Sequence, residues 1–306
     1  MAEAVLKSKK RSGSGIFNTK WEPLIYLAPF LIGVIIFTLY PFFNIILISF
    51  KEGYRQMTGA FQSFGFDNYV HIFTDPYFIN ALKNTAMYVG FVVPISTALS
   101  LFFANLLNQK IKGIGIFQTA FFLPMVTSVT AIGLVWKLMF NDRIGVINAM
   151  LGLFGVERIE WLLDPAMNIW ALIIYGIWNM MPFTIIILLS GLQNIDPLYY
   201  TAAKVDGASS RKQFFRITVP LLAPTIGLTC IINMISASKV FGELFPLFSG
   251  RPGTAYNLFT MVYYIYYEFN VARHLGYAAA ASIILFIIVF VFTMIQLYVQ
   301  RRWRYY

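Results

Sequence analysis

"PAMNIWALIIYGIWNMMPFTIIILLSGLQNI", residues 165–195, is 31 consecutive residues without a charged side chain. A helix crossing the hydrocarbon core of a bilayer needs roughly 20 predominantly apolar residues, so this stretch reads as a membrane span. Five further charge-free runs meet that length: Pro23–Phe50, Asn84–Gln109, Gly113–Trp136, Ile217–Ser238 and His274–Gln300. Only 12% of the 306 residues are charged and 58% are hydrophobic, whereas soluble domains carry about a quarter charged residues. The fold class is therefore an all-α integral membrane protein with six transmembrane helices. The uncharged stretch Pro252–Tyr267 is short and rich in Tyr, which fits an interfacial or re-entrant segment. Lys7, Lys9, Lys10 and Arg11 precede the first run as in a secretory signal. Its apolar part is too long for one and no clean small-x-small cleavage pattern follows, so it reads as a retained span.

Orientation follows from the basic residues. With the N-terminus placed in the cytoplasm, the inner segments hold Lys7, Lys9, Lys10, Arg11, Lys20, Lys110, Lys112, Lys204, Arg211, Lys212, Arg216, Arg301, Arg302 and Arg304. They hold only Glu3, Glu22, Asp196 and Asp206 among the acids. The whole formal charge of +10 then falls on one side, and six spans return the C-terminus to the cytoplasm as well. Topology thus accounts for the basic residues, and nucleic-acid binding is excluded. The organisation expected is a basic cytoplasmic tail over 1–22, a six-span region over 23–300 with an inner loop at 196–219, and a cytoplasmic C-terminus over 301–306.

Several chemistries are absent. Cys230 is the single cysteine and lies inside the fifth run, where it reads as a small helix-interface residue. His71 and His274 are far apart in sequence and no metal-ligand spacing is present. No Gly-Lys dipeptide occurs, so there is no phosphate-binding P-loop. No charge sits at the middle of a span, where proton- or ion-coupled carriers keep their relays. A stand-alone secondary carrier is therefore the weaker alternative, and active transport needs energy from another polypeptide. Pro41, Pro94, Pro124, Pro182, Pro220 and Pro224 interrupt the spans, as kinked membrane helices permit.

The long inner loop contains "YYTAAKVDGASSRKQFF", Tyr199 to Phe215. Asp196 with Pro197 starts a short helix and Gly207 stops it. Ser209 caps a second helix that runs toward Pro220. Tyr199, Ala202, Ala203 and Asp206 recur at spacings of three and four and so share a face. Two readings of these residues stand side by side: an amphipathic pair on the anionic inner leaflet, and a docking knob for a cytoplasmic partner.

"TAAKVDGASSRKQFFRITVPLLAP" resembles the EAA loop in permease subunits of bacterial ATP-binding-cassette importers. The matching residues are Thr201-Ala202-Ala203, Asp206-Gly207-Ala208, Phe214, and Ile217 with Pro220. "FDNYVHIFTDPYFINALKNT" (Phe66–Thr85), "FFLPMVTSVTAIGLVWKLMFNDRIGVINAML" (Phe121–Leu151) and "VFGELFPLFSGRPGTA" (Val240–Ala255) are similar to the carbohydrate-uptake branch, which includes maltose and glycerol-3-phosphate permeases. The resemblance implies a type I importer permease fold in the bacterial inner membrane. It implies as partners a second homologous permease, two ATPase subunits that hold ATP and Mg, and an extracellular or periplasmic substrate-binding protein. No cofactor is expected in this chain. The loop would couple to the ATPase through Tyr199, Thr201, Ala202, Ala203, Asp206, Gly207, Ala208 and Arg211. The family's Glu is Thr201 here, which shifts docking onto Asp206 and the basic residues.

Substrate contacts are expected from polar and aromatic residues in the fourth and fifth runs: Trp178, Asn179, Asn233, Ser236, Ser238, Lys239 and Phe241. Aromatic planes with amides and hydroxyls suit a neutral sugar, although Asn and Ser also join helices by hydrogen bonds. A phosphate ester calls for Arg or Lys at the cavity, and Lys239 is the one candidate. The expectation is thus a carbohydrate, in particular an oligosaccharide, with glycerol-3-phosphate or a glycerophosphodiester as the alternative.

Overall fold

The computed structural model describes residues 22–109 and 112–302. The basic tail, Lys110, and Arg304 in the C-terminal segment lie outside the described residues. Two compact units divide the chain between Leu47 and Ile48. The first contains helix α1 (Glu22–Val34), a π-turn at Ile35–Leu39 and most of α2 (Tyr40–Ser49), which together make one apolar span from Leu24 to Ser49. The π-turn stands two residues ahead of Pro41, and the Tyr40 N–H reaches back to the Ile35 carbonyl. A proline ring collides with the carbonyl one α-turn earlier, and widening the turn by one residue relieves that collision.

The second unit begins with a two-residue hairpin, β1 (Lys51–Glu52) against β2 (Ser63–Phe64), the one departure from an all-α chain among the described residues. Helices α3 (Asp67–Thr74), α4 (Pro76–Leu107), α5 (Ile114–Val126), α6 (Val129–Met139), α7 (Val146–Gly152) and α8 (Pro165–Gln193) follow. Asp75 and Asp164 cap α4 and α8, each accepting from the N–H of the residue that follows a proline at the first helical position. Then come α9 (Pro197–Val205), α10 (Ser210–Gln213), a π-turn at Phe214–Thr218, α11 (Val219–Ala237), α12 (Leu244–Phe248), α13 (Met261–Tyr266) and α14 (Leu275–Arg302).

Five stretches are long and apolar enough to cross a membrane: Leu24–Ser49, α4, α8, Ser210–Ala237 and Leu275–Arg301. The third apolar run departs from the sequence expectation of one span over Gly113–Trp136. It is two helices, α5 and α6, bent by 106°. Thr127 and Ser128 are extended, and the Thr127 hydroxyl donates to the Leu123 carbonyl at 2.9 Å. Val126, Thr127, Val129 and Thr130 are β-branched and stiff, and the side-chain hydrogen bond gives the backbone an alternative to the helix ladder. Two spans also start before their charge-free runs, at Pro76 and Ser210. The second half of the inner loop is therefore the first turns of the fifth span.

Helix α8 is the centre of this unit: 56% of its most apolar window is buried, against 22% for α14. Glycines set its approach to its neighbours. A Cβ on Gly176 would run into the Tyr88 ring of α4, and one on Gly191 would meet Leu222 Cδ1 of α11 at 2.7 Å. Membrane helices gain little from hydrophobicity against lipid and associate by such close packing. The core above Gly176 is aromatic, with Trp136, Tyr175 and Trp178 in contact.

The stretch Pro252–Tyr267, expected as interfacial or re-entrant, is a folded connection. Leu258, Phe259, Thr260 and Met261 are almost wholly buried. Asparagines satisfy its irregular backbone: Asn80 and Asn84 of α4 both donate to the Asn257 carbonyl at 2.8 Å, and Asn84 also donates to that of Phe259 at 2.9 Å. Thr85 Oγ1 accepts from the Met261 N–H at 2.9 Å. With its amide oriented so that the oxygen faces donors, Asn168 of α8 accepts from the Thr254 N–H at 2.8 Å.

Between α13 and α14 the buried Glu268 meets His274 Nδ1 at 3.0 Å. Burial pushes the Glu268 carboxyl above the ordinary glutamate range, and the bond to His274 partly opposes this. A raised folded value favours the protonated form, so this contribution is full below the ordinary Glu range and is lost as pH rises through the raised value. Glu268→Gln is expected to flatten the pH dependence of melting temperature across that window. A second expectation concerns packing: Gly176→Val should cost about 1–3 kcal/mol by overpacking, read as a lower melting temperature of the purified chain.

Candidate functional site: the α9 knob and the Trp178 notch

Helix α9 is built as the sequence predicts. Asp196 accepts from the Leu198 N–H at 2.8 Å with Pro197 in the first turn. At the other end Gly207 has φ +70°, the Gly207 N–H donates to the Lys204 carbonyl at 3.1 Å, and the Ala208 N–H donates to that of Ala203 at 2.9 Å. This is a Schellman ending, which requires the left-handed conformation that glycine adopts without strain. Ser209 accepts from the Lys212 N–H and starts the next helix.

Two side-chain bonds tie the knob to the fifth span. The Tyr200 and Thr218 hydroxyls are hydrogen-bonded at 3.0 Å, and Gln213 Nε2 donates to the Ala208 carbonyl at 2.7 Å. Thr218 closes the π-turn that precedes Pro220, where the Val219 N–H reaches the Phe214 carbonyl. The expected face of Tyr199, Ala202, Ala203 and Asp206 is not one surface. Ala203 is buried, whereas the other three are exposed. The outward apolar stripe is Leu198, Ala202 and Val205, with Tyr199 beside it; Leu198 is 69% exposed and Val205 85%. Spacings of four and three carry that stripe, and they are present in the sequence itself. The Thr201 hydroxyl turns back on the Pro197 carbonyl at 3.2 Å. Arg211 is exposed, and Ala208 is half-buried beneath the turn.

The seven residues expected at the substrate do not converge. Trp178 and Asn179 are half-buried on α8. Trp178 stands between two cavities at the α5–α6 elbow, one of about 340 Å³ over Thr127, Ala131, Val135 and Met139, the other of about 220 Å³ against Phe121, Pro124 and Pro182. Asn233, expected at the substrate, is buried and joins three helices. Its amide nitrogen donates to Thr184 Oγ1 of α8 at 3.0 Å and to Thr97 Oγ1 of α4 at 3.4 Å. In lipid an amide pairs with whatever polar groups neighbouring helices offer, and these threonines were not distinguishable in sequence from other span residues. Ser238 is also buried, donating to the Met234 carbonyl at 2.8 Å. Ser236 and Lys239 are exposed, and Phe241 joins the rings of Phe245 and Tyr266, each centred 5.1 Å away. Glu243 accepts from the Phe241 N–H at 3.2 Å and lies within electrostatic reach of Tyr88 and Tyr175.

Several apolar spans, a helix pair bent by 106° at the third apolar run and a capped helical knob define the class: a multi-pass membrane protein with no metal-binding cluster among the described residues. The chain belongs to the family described as binding-protein-dependent transport system inner membrane component, whose model matches residues 23–305. It is 32% identical over 303 residues to the arabinooligosaccharides transport system permease protein AraP of Halalkalibacterium halodurans, covering 97% of this chain and 94% of that one. It is 29% identical over 299 residues to the sn-glycerol-3-phosphate transport system permease protein UgpA of Escherichia coli, covering 96% and 99%. A chain of a bacterial alginate transporter, solved with a periplasmic protein carrying an alginate pentasaccharide, superposes with a TM-score of 0.79 at 26% identity, covering 92% and 94%.

Asn233→Ala is expected to lower the stability of the purified chain by about 1 kcal/mol, measured by thermal unfolding in detergent. An unchanged melting temperature would contradict its role as a three-helix tie.

Proposed function

We propose that this chain is one permease subunit of an ATP-driven importer for a saccharide, that it forms half of the translocation pathway, and that α9 is its coupling piece. The observation that carries the reading is the rigid attachment of an exposed apolar helix face to the start of the fifth span. A partner that grips Leu198, Tyr199, Ala202 and Val205 moves α9 as a body, and the Tyr200–Thr218 and Gln213–Ala208 bonds pass that movement to α11. A helix with fixed attachments carries such a movement directly, through packed and hydrogen-bonded neighbours. ATP and Mg belong to the gripping subunits. On this reading two ATPase subunits, a second permease and an external binding protein complete the assembly, with the knob and both termini in the cytoplasm. The chain itself performs no chemistry.

The saccharide reading draws support from the relative named for arabinooligosaccharides and the alginate transporter chain, and from the spans' own chemistry. Trp178 offers an aromatic plane between two cavities at the broken span, with Asn179 beside it. No cationic side chain lines either cavity, as a phosphate ester would require. The glycerol-3-phosphate relative matches over nearly its whole length, and direct competition between the two substrate classes in uptake assays separates them.

Gly207→Pro fixes φ near −65° where the Schellman ending needs φ +70°. It is expected to abolish uptake while the chain remains in the membrane. The double change Asp206→Arg with Ala203→Trp should act likewise, by forcing the buried face of α9 off the span. Radiolabelled sugar uptake against membrane abundance, measured in the native host, checks both; normal uptake in either variant would sink the coupling role.

A further inference from the structure

Beside the start of α8 lies a cavity of about 550 Å³. Its walls come from the end of α6, from the segment ahead of α8, and from the turn after α12. No role attaches to it in the reading above. Its floor is apolar and aromatic, with Phe140, Trp161, Leu247 and Phe248 all buried. Its rim is polar and balanced in charge: Lys137 and Arg251 against Asp142 and Glu160. Asp142 is engaged by Arg143 at 3.7 Å, while Arg251 and Glu160 have no ion-pair partner among the described residues.

The backbone here is unusual. Four described residues other than glycine have left-handed φ, and three of them, Ser249 (+57°), Ala255 (+54°) and Tyr256 (+59°), line this cavity. Such conformations cost about 1–3 kcal/mol each and persist only where surrounding structure enforces them, which is common at ligand clamps. The enforcement is visible. Lys137 Nζ donates to Ser249 Oγ at 2.7 Å, the Tyr263 hydroxyl to the Gly250 carbonyl at 2.9 Å, and Thr254 Oγ1 to the Leu162 carbonyl at 3.1 Å. The cavity is thus held open by its own hydrogen bonds, as ligand sites usually are, and its volume is within their usual range of roughly 300–1,000 Å³.

We infer that this cavity is an entry subsite for a neutral saccharide unit, which rests on the saccharide reading above. A sugar ring presents an apolar face to the aromatic floor and hydroxyls that both donate and accept. Paired signs on the rim serve such a ligand: Glu160 accepts from hydroxyls while Arg251 and Lys137 donate to them. An anion would meet Glu160 and Asp142, and a cation would meet Arg251 and Lys137, so neither sign is favoured. Tyr256, half-exposed at the mouth, supplies a further ring against which a saccharide stacks.

The test uses the full chain in right-side-out membrane vesicles of the native host. In a Cys230→Ala background, Ala255→Cys places a single thiol on the rim, and its maleimide labelling rate is followed. Maltotriose and lactose serve as neutral probes, and sn-glycerol-3-phosphate as the anionic one. A neutral probe that the vesicles import is expected to slow labelling about tenfold at ten times its Kd, from occupancy alone; glycerol-3-phosphate should not. Adding Glu160→Gln or Arg251→Ala should remove most of that protection. Import of a neutral sugar with no protection overturns the subsite and leaves the saccharide reading intact. Import of glycerol-3-phosphate but of no sugar overturns the reading itself, and the subsite with it. Protection by sugar-free binding protein alone, with none from sugar, overturns the subsite in favour of a protein-docking cleft.

Discussion

The Asn257 carbonyl accepts hydrogen bonds from both Asn80 and Asn84 at 2.8 Å, and much of the second unit depends on that junction. Irregular backbone within an apolar bundle is tolerated only where protein groups satisfy it, since each stranded amide or carbonyl costs several kcal/mol in hydrocarbon. Three asparagines, on α4 and α8, do this for the connection between α12 and α13. They hold the N-terminal parts of α4 and α8 to the segment that leads into α13.

At the level of α11 a different device operates. Gly176 and Gly191 let α8 approach α4 and α11 until side chains of those helices occupy the space a Cβ would need. Asn233 then closes the three-helix contact through Thr97 and Thr184. Small residues permit the approach and the amide fixes its register. A polar group with satisfied partners specifies one arrangement among several that apolar surfaces alone would accept equally well.

The helix α9 unit follows a local logic by contrast. Asp196, Pro197, Gly207 and Ser209 each perform in the structure the role that their residue type dictates within four positions along the chain. The π-turn ahead of Pro220 is equally local, and its counterpart ahead of Pro41 has the same cause. What is not local is the Tyr200–Thr218 bond, which ties α9 to the start of the fifth span. Its residues are 18 apart, and neither is among the matched residues that carry the family resemblance of this loop.

Six charge-free runs, their order and the capped knob were legible in the sequence because each rests on nearest-neighbour chemistry: apolar length, helix caps and a glycine where φ is positive. The 106° elbow between α5 and α6 was only partly legible, since β-branched residues lower helix propensity without dictating a break. The roles of the span polar residues were not. Asn233 read as a substrate contact and is a buried tie, while Asn84 drew no attention and secures backbone 173 residues away. An amide in a helix announces only that it needs partners; which partners it finds depends on how the helices assemble. The sequence by itself therefore determined which segments are apolar enough to enter the membrane and where α9 starts and stops. Tertiary structure alone decided which polar side chains face a cavity and which are consumed in holding the helices together, because that choice is made by neighbours distant along the chain.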